Sequence, residues 1–272
     1  MKNPMLLKPK MWVYLVMLAI AVGLMVSLYR CSHGNVNNSG YGKSGGDTID
    51  VAIEYSPLSL YMYDDTLGGF SHDLIRLIEK HEGIAVKMHP VVSLSESLKL
   101  LDDGIYDVVA AQIPATTDFK QRYLFTDSIY LDRQVLVQLK DSLGRCKVNS
   151  QLDIAGKTLH IVAGSPVATR IENFSREIGD TVRVLAEPNY GQEQLFLLVA
   201  TGEIEYAVIS SKVAKAMSAQ YPMVDIGTSV SFNQFQSWVL RKGDNTLCDS
   251  LNHWLRDIRT TKEYKELVRR YF

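Results

Sequence analysis

The chain has 272 residues, 46% of them apolar, with 29 basic against 30 acidic side chains and a formal net charge of -1. That length accommodates a two-lobed module with a sizeable core, and a near-neutral balance without a basic stripe argues against a nucleic-acid partner. Three cysteines, Cys31, Cys146 and Cys248, are too few for a disulfide scaffold, and no CxxC or Cys/His cluster suggests zinc. No metal or cofactor is expected, and whether Cys146 and Cys248 pair is left open.

Residues 11–29 read MWVYLVMLAIAVGLMVSLY, without a charge over about the span of a bilayer core. Lys2, Lys8 and Lys10 precede this stretch and Arg30 follows it, and Trp12, Tyr14 and Tyr29 sit near its ends. The excess of positive charge before the helix predicts a cytoplasmic N-terminus and an extracytoplasmic remainder. Residues 1–31 are therefore read as a cytoplasmic tip and an uncleaved, single-pass inner-membrane anchor. A cleaved signal peptide lacks its small-x-small site here. Lipidation at Cys31 is the minority alternative, because Leu28-Tyr29-Arg30 lacks the small residues expected before a lipidated cysteine. Residues 32–47 (SHGNVNNSGYGKSGGD) form a Gly-, Ser- and Asn-rich tether with too little apolar surface to fold.

From Thr48 onward strand and helix patterns alternate, which predicts an α/β class. Residues 48–55 (TIDVAIEY) read as a strand and residues 56–69 as a loop. Ser71 is placed as the cap of a helix carrying Leu74, Leu77 and Ile78, with Phe70 as the apolar residue before the cap. A short strand (85–89), a helix marked by Leu94, Leu98 and Leu101 and stopped at Asp103-Gly104, and a buried strand (106–112) follow. Residues 129–138 form a further extended run. The order then repeats: strand 158–163, a helical face of Val167, Ile171 and Phe174, strand 182–185, a helix marked by Leu195, Leu198 and Val199 and stopped at Thr201-Gly202, and strand 205–210. A late strand (237–240) precedes two amphipathic helices carrying Leu251, Trp254, Leu255 and Ile258, then Tyr264, Leu267, Val268 and Tyr271. The repetition predicts two similar lobes, residues 48–131 with 232–272 and residues 132–231, joined by two chain crossings that act as a hinge. A ligand would sit between them at the C-terminal ends of strands.

Five motifs in order carry a resemblance over nearly all of residues 48–272: Tyr55-Ser56-Pro57-Leu58 with Gly69-Phe70 and Asp73-Leu74; Leu101 to Asp107 (LDDGIYD); Ala115-Thr116-Thr117-Asp118 with Phe125-Thr126-Asp127-Ser128; Leu152 to Lys157 (LDIAGK) with Gly164-Ser165; and Thr201 to Tyr206 (TGEIEY). The chain resembles the family 3 periplasmic solute-binding proteins. YSPLS at 55–59, EYAVISS at 205–211 and residues 262–272 are similar to the regulatory, non-catalytic domain of the membrane-bound lytic transglycosylase F family. The resemblance implies a two-lobed, type II periplasmic-binding-protein fold. It also implies a binding domain without the peptidoglycan-cleaving domain, for which the sequence leaves no room after Phe272.

Amino-acid-binding members of the family hold a zwitterion between an Arg and an Asp. At the matching places this chain has Phe119 and Ser210; Arg122, three residues on from Phe119, is read as a solvated surface charge. A serine supplies no charge to a buried ammonium. The expectation is thus a peptide or cell-wall-derived ligand rather than a free amino acid held in the usual way. Candidate contacts are Glu54 and Tyr55 at the end of the first strand, with Phe70 weighed evenly between ring-stacking partner and core residue. Gln112, Thr116 and Thr117 offer neutral hydrogen bonds at a strand end, and Ser165 and Thr169 lie at a helix start suited to a carboxylate. Gln192, starting another helix, is equally readable as surface. The six histidines show no metal-ligand spacing, and no GxSxG, P-loop or HExxH occurs. The alternatives are an amino-acid-binding component of an ABC transporter, with a permease as partner, and a small dehydratase-type cleft enzyme using Glu54. A wall-fragment sensor would instead partner cell-wall enzymes.

Overall fold

The computed structural model describes residues 48–272 together with Met17, Leu18 and Gly23. Apart from those three positions, the predicted anchor, Cys31 and the tether lie outside the described residues. Among the described residues no helix is long and apolar enough to cross a membrane.

The first sheet is built from β1 (Ile49–Glu54), β4 (Val86–Val91), β5 (Val108–Pro114), β6 (Tyr123–Phe125), β7 (Tyr130–Asp132) and β13 (Gln234–Arg241). Its order is β4-β1-β5-β13-β6, with β7 also paired to β13. β1 runs parallel to β4 and β5, and β13 is antiparallel to β5. β1 lies between two neighbours and is buried almost throughout, with Ile49, Val51, Ala52 and Ile53 as its apolar body and the acidic Glu54 at its end. β4 is an edge and therefore tolerates Pro90, which has no N–H to offer a ladder. The second sheet consists of β8 (Gln134–Leu139), β9 (Thr158–Val162), β10 (Arg183–Glu187), β11 (Ala207–Ser210) and β12 (Val224–Asp225), in the order β10-β9-β11-β8-β12. The chain passes from β7 to β8 through Arg133 and returns to β13 after Ser231, so both crossings lie side by side; the Gln134 N–H donates to the Ser231 hydroxyl at 2.9 Å. This is a two-lobed α/β fold.

Helices α1 (Phe70–Glu82), α2 (Leu94–Asp102) and α3 (Thr117–Arg122) belong to the first lobe, as do α7 (Asn245–Arg259) and α8 (Lys262–Tyr271). Helices α4 (Val167–Ile178), α5 (Gln192–Ala200) and α6 (Ser211–Ser218) belong to the second. The predicted stops hold: α2 ends before Gly104 (φ 77°) and α5 before Gly202 (φ 79°). Val167, Ile171 and Phe174 are all buried, and so are Leu251, Trp254, Leu255 and Ile258.

Three local readings change. The helix predicted to start after Ser71 starts at Phe70, with Gly69 in the cap position. Gly69 has φ 125°, and a Cβ there would lie 2.3 Å from the Ser59 carbonyl oxygen, so the turn into α1 depends on glycine. Residues 56–69, read as a loop, contain a hairpin of β2 (Tyr61–Tyr63) and β3 (Thr66–Gly68), turned by Asp64 and Asp65 at positive φ. The short α3 and α6 had no periodicity long enough to reveal them. Cys146, in the second lobe, and Cys248, on α7 of the first, are free thiols.

Candidate functional site

The C-terminal ends of β1 and β5 face the N-terminal ends of α4 and α5 across the gap between the sheets. A cavity lies there with about 30 Å³ of space for solvent, room for about two waters. Glu54, Gln112 and Ser97 line it from the first lobe, Ser165 and Gln192 from the second, and Gln134 at the crossing; valines, a leucine and an alanine complete the walls. Among the described residues Glu54 is the one titratable side chain on that lining.

Glu54 ends β1 and is 9% exposed. Its Oε1 accepts a hydrogen bond from Gln192 Nε2 at 2.9 Å, and Gln192 Oε1 accepts from the Ser210 backbone N–H at 2.7 Å. Gln192 is thus a strut from the second lobe to the first. Glu54 Oε2 is buried without a partner, and so are both Oε1 and Nε2 of the Gln112 amide, which is 8% exposed. Buried polar groups are as a rule paired with protein or water, so these atoms call for a partner from within the cavity. Burial pushes the Glu54 carboxyl above its ordinary value; the Gln192 amide and the nearby Gln112 backbone N–H act in the opposite direction.

A second buried carboxylate lies at the crossing. Asp132, 4% exposed, accepts hydrogen bonds from the Ser210 hydroxyl and, at 2.8 Å, from the Arg133 N–H. Its carboxyl is also raised by burial, with the Ser210 bond, the Arg133 and Lys212 backbone N–H groups and the Lys212 charge opposing the shift. Tyr130 lies close to both acids: burial first, then the Asp132 and Glu54 charges, hold its phenol well above the ordinary range, so it stays neutral. Lys212 stands 3.9 Å from the ring centroid of Phe272 and 5.8 Å from that of Tyr130.

The predicted site residues separate into two groups. Glu54, Gln112, Ser165 and Gln192 meet at the cavity. Ser210 is fully buried just behind it, its hydroxyl engaged by Asp132 and also accepting from the Val213 N–H at 3.3 Å. Tyr55, Thr116, Thr117, Phe119 and Thr169 do not line the cavity. Thr116 caps α3, accepting from the Phe119 N–H at 3.5 Å, and Phe119 packs on Tyr123 at 5.9 Å between centroids. Phe70 is fully buried against Tyr130, Tyr271 and Phe272, packed within the core rather than on the cavity lining. Arg122 is largely exposed beside Asp102. Sequence reasoning missed Ser97, Gln134 and Asp132. Ser97 carried a usable signal, four residues after the Ser93 cap on the face of Leu94, Leu98 and Leu101; the pairing of Asp132 with Ser210, 78 residues apart, carried none.

The chain resembles known proteins in two ways. It is 28% identical over 194 residues to the membrane-bound lytic murein transglycosylase F of Aeromonas hydrophila, covering 71% of this chain and 38% of that protein. The protein of that name from Desulfosudis oleivorans is 25% identical over 224 residues, 82% of this chain and 48% of the relative. The chain thus spans less than half the length of these relatives. Among solved structures, an ancestral arginine-binding protein bound to arginine superposes with a TM-score of 0.71 at 24% identity, covering 83% of this chain and 98% of that one. An ancestral arginine-binding protein bound to glutamine gives 0.72 at 23%, covering 84% of this chain and 99% of that one. Residues 48–272 match the model of the bacterial extracellular solute-binding proteins, family 3, and the chain belongs to that family.

Proposed function

We propose that the chain is a membrane-anchored, extracytoplasmic, non-catalytic binding module that takes a peptide or cell-wall-derived small molecule between its lobes and closes on it by hinge motion. The observation that carries this reading is the set of unpaired buried atoms, Glu54 Oε2 and both ends of the Gln112 amide, on a cavity bounded by both lobes. They are polar groups without a partner in a place that opens when the lobes part. Among the described residues the lining offers no basic side chain for an α-carboxylate and one lone carboxyl, which makes no acid–base pair. The names of the wall-cleaving relatives favour a wall-derived ligand, and the uncharged stretch at residues 11–29 favours an anchor in the inner membrane with the lobes in the periplasm.

Small-angle scattering of the full chain with fractionated peptidoglycan digest tests the reading. One fraction is expected to change the radius of gyration and raise the melting temperature. Micromolar binding of ordinary free amino acids, with no response to any fraction, points instead to an amino-acid carrier. Retention of the chain in membranes after alkaline washing checks the anchor.

A further inference from the structure

Glu54 and Gln112 define the chemistry of the ligand end that enters the cleft. Gln112 presents one free N–H donor group and one free carbonyl acceptor. An amide in the ligand, with its own carbonyl and N–H, satisfies both at once. Glu54 presents a carboxyl oxygen without a protein hydrogen bond, and it lines the same cavity as Gln112. The natural partner of a buried carboxylate is a charged N–H donor, which gives a short, charge-assisted bond. The other oxygen, Glu54 Oε1, already accepts an amide N–H from Gln192 at 2.9 Å.

Resting on the reading of this cleft as a ligand site, we propose that it recognises an α-amino amide, the amino-terminal end of a peptide, with the ammonium on Glu54 and the first amide on Gln112. The ligand's carboxylate has no part in this arrangement, because among the described residues no basic side chain lines the cavity. The valine-rich walls suit a small aliphatic side chain. The lobes separate to admit such a molecule, since the space between them holds only about two waters.

Calorimetry on the full chain tests this with valinamide, valine, isovaleramide and isovalerate. Valinamide is expected to bind at least as tightly as valine, isovaleramide about tenfold more weakly for lack of the ammonium, and isovalerate not at all. Glu54→Gln is expected to lower valinamide affinity about tenfold while leaving isovaleramide unchanged; the probe series on the unaltered protein stands even if that variant folds poorly. Valine binding tenfold tighter than valinamide overturns the proposal, because the carboxylate is then the anchor, yet leaves the binding module intact. Silence of valinamide alongside a digest fraction that closes the lobes also overturns it. Silence of every probe and fraction, with an unchanged radius of gyration, fails the broader reading instead.

Discussion

Glu54 and Asp132 are two carboxyls in nearly the same circumstances. Both end strands of the first lobe, both are at least nine-tenths buried, both touch the second lobe, and burial raises both above their ordinary values. They differ in what surrounds them. Asp132 receives the Ser210 hydroxyl on one oxygen and the Arg133 N–H on the other, with the Lys212 charge close by. Glu54 has a second-lobe amide on one oxygen and no protein group within hydrogen-bond geometry on the other, the Gln112 backbone N–H acting on it only from nearby. A raised carboxyl therefore marks burial, whereas an oxygen without a protein partner on a cavity wall has room for a further donor. Asp132 is fastened across the chain crossing, and on the proposed reading Glu54 is a ligand contact.

The largest effect expected near this pair is on the wall behind it. Phe70→Ala empties a fully buried ring site against Tyr130, Tyr271 and Phe272 and should cost about 3–5 kcal/mol in urea unfolding. A much smaller loss together with weakened ligand binding would return Phe70 to the cleft. Next comes Ser210→Ala, which leaves Asp132 short of a donor and should cost about 1–3 kcal/mol. The contrast sharpens if that loss is the same with and without a bound digest fraction, and it breaks if the variant loses binding while keeping its stability.

Much of the fold was legible because local chemistry agrees with it. Gly104 and Gly202 stop their helices, Ser93 caps α2, and periodic apolar faces end up buried. The cavity was partly legible, since Glu54, Gln112, Ser165 and Gln192 all stand at element ends, where strands and helices meet a cleft. What could not be read depends on distance along the chain. Nothing local tells that Ser210 meets Asp132, or that Gln192 reaches over 138 residues to Glu54. Phe70 was ambiguous because a phenylalanine before a serine fits an apolar residue ahead of a cap, while the true cap position, Gly69, is set by the close approach of Ser59.

Glu54→Gln tests the other member of the pair with the opposite sign. A carboxyl whose folded value lies above the ordinary 4.5 binds its proton more tightly in the folded state. Its favourable contribution is complete below the ordinary value and is lost as pH rises through the folded one. Ligand-free stability of the parent should therefore fall across that window, and the variant, with no proton to lose, should not share the fall. At neutral pH the glutamine should be the more stable by about 1 kcal/mol, while binding the ammonium ligand less well. A variant less stable than the parent at every pH would make Glu54 a structural group like Asp132.

Gln192→Ala should have the smallest effect on stability and the most telling one on binding. It removes the strut that ties Glu54 to the Ser210 backbone across the cleft. The lost hydrogen bonds are worth about 1 kcal/mol, partly offset because water reaches both ends once the lobes part. The empty closed form competes with the open form that admits ligand, so weakening it by that amount raises the open fraction and the apparent affinity up to about fivefold. Relaxation of the apparent association rate in stopped-flow fluorescence measures this: faster association with little change in dissociation is expected. If association is unchanged and dissociation quickens, Gln192 grips the ligand directly, and the unpaired oxygen of Glu54 then shares its role with a second-lobe amide.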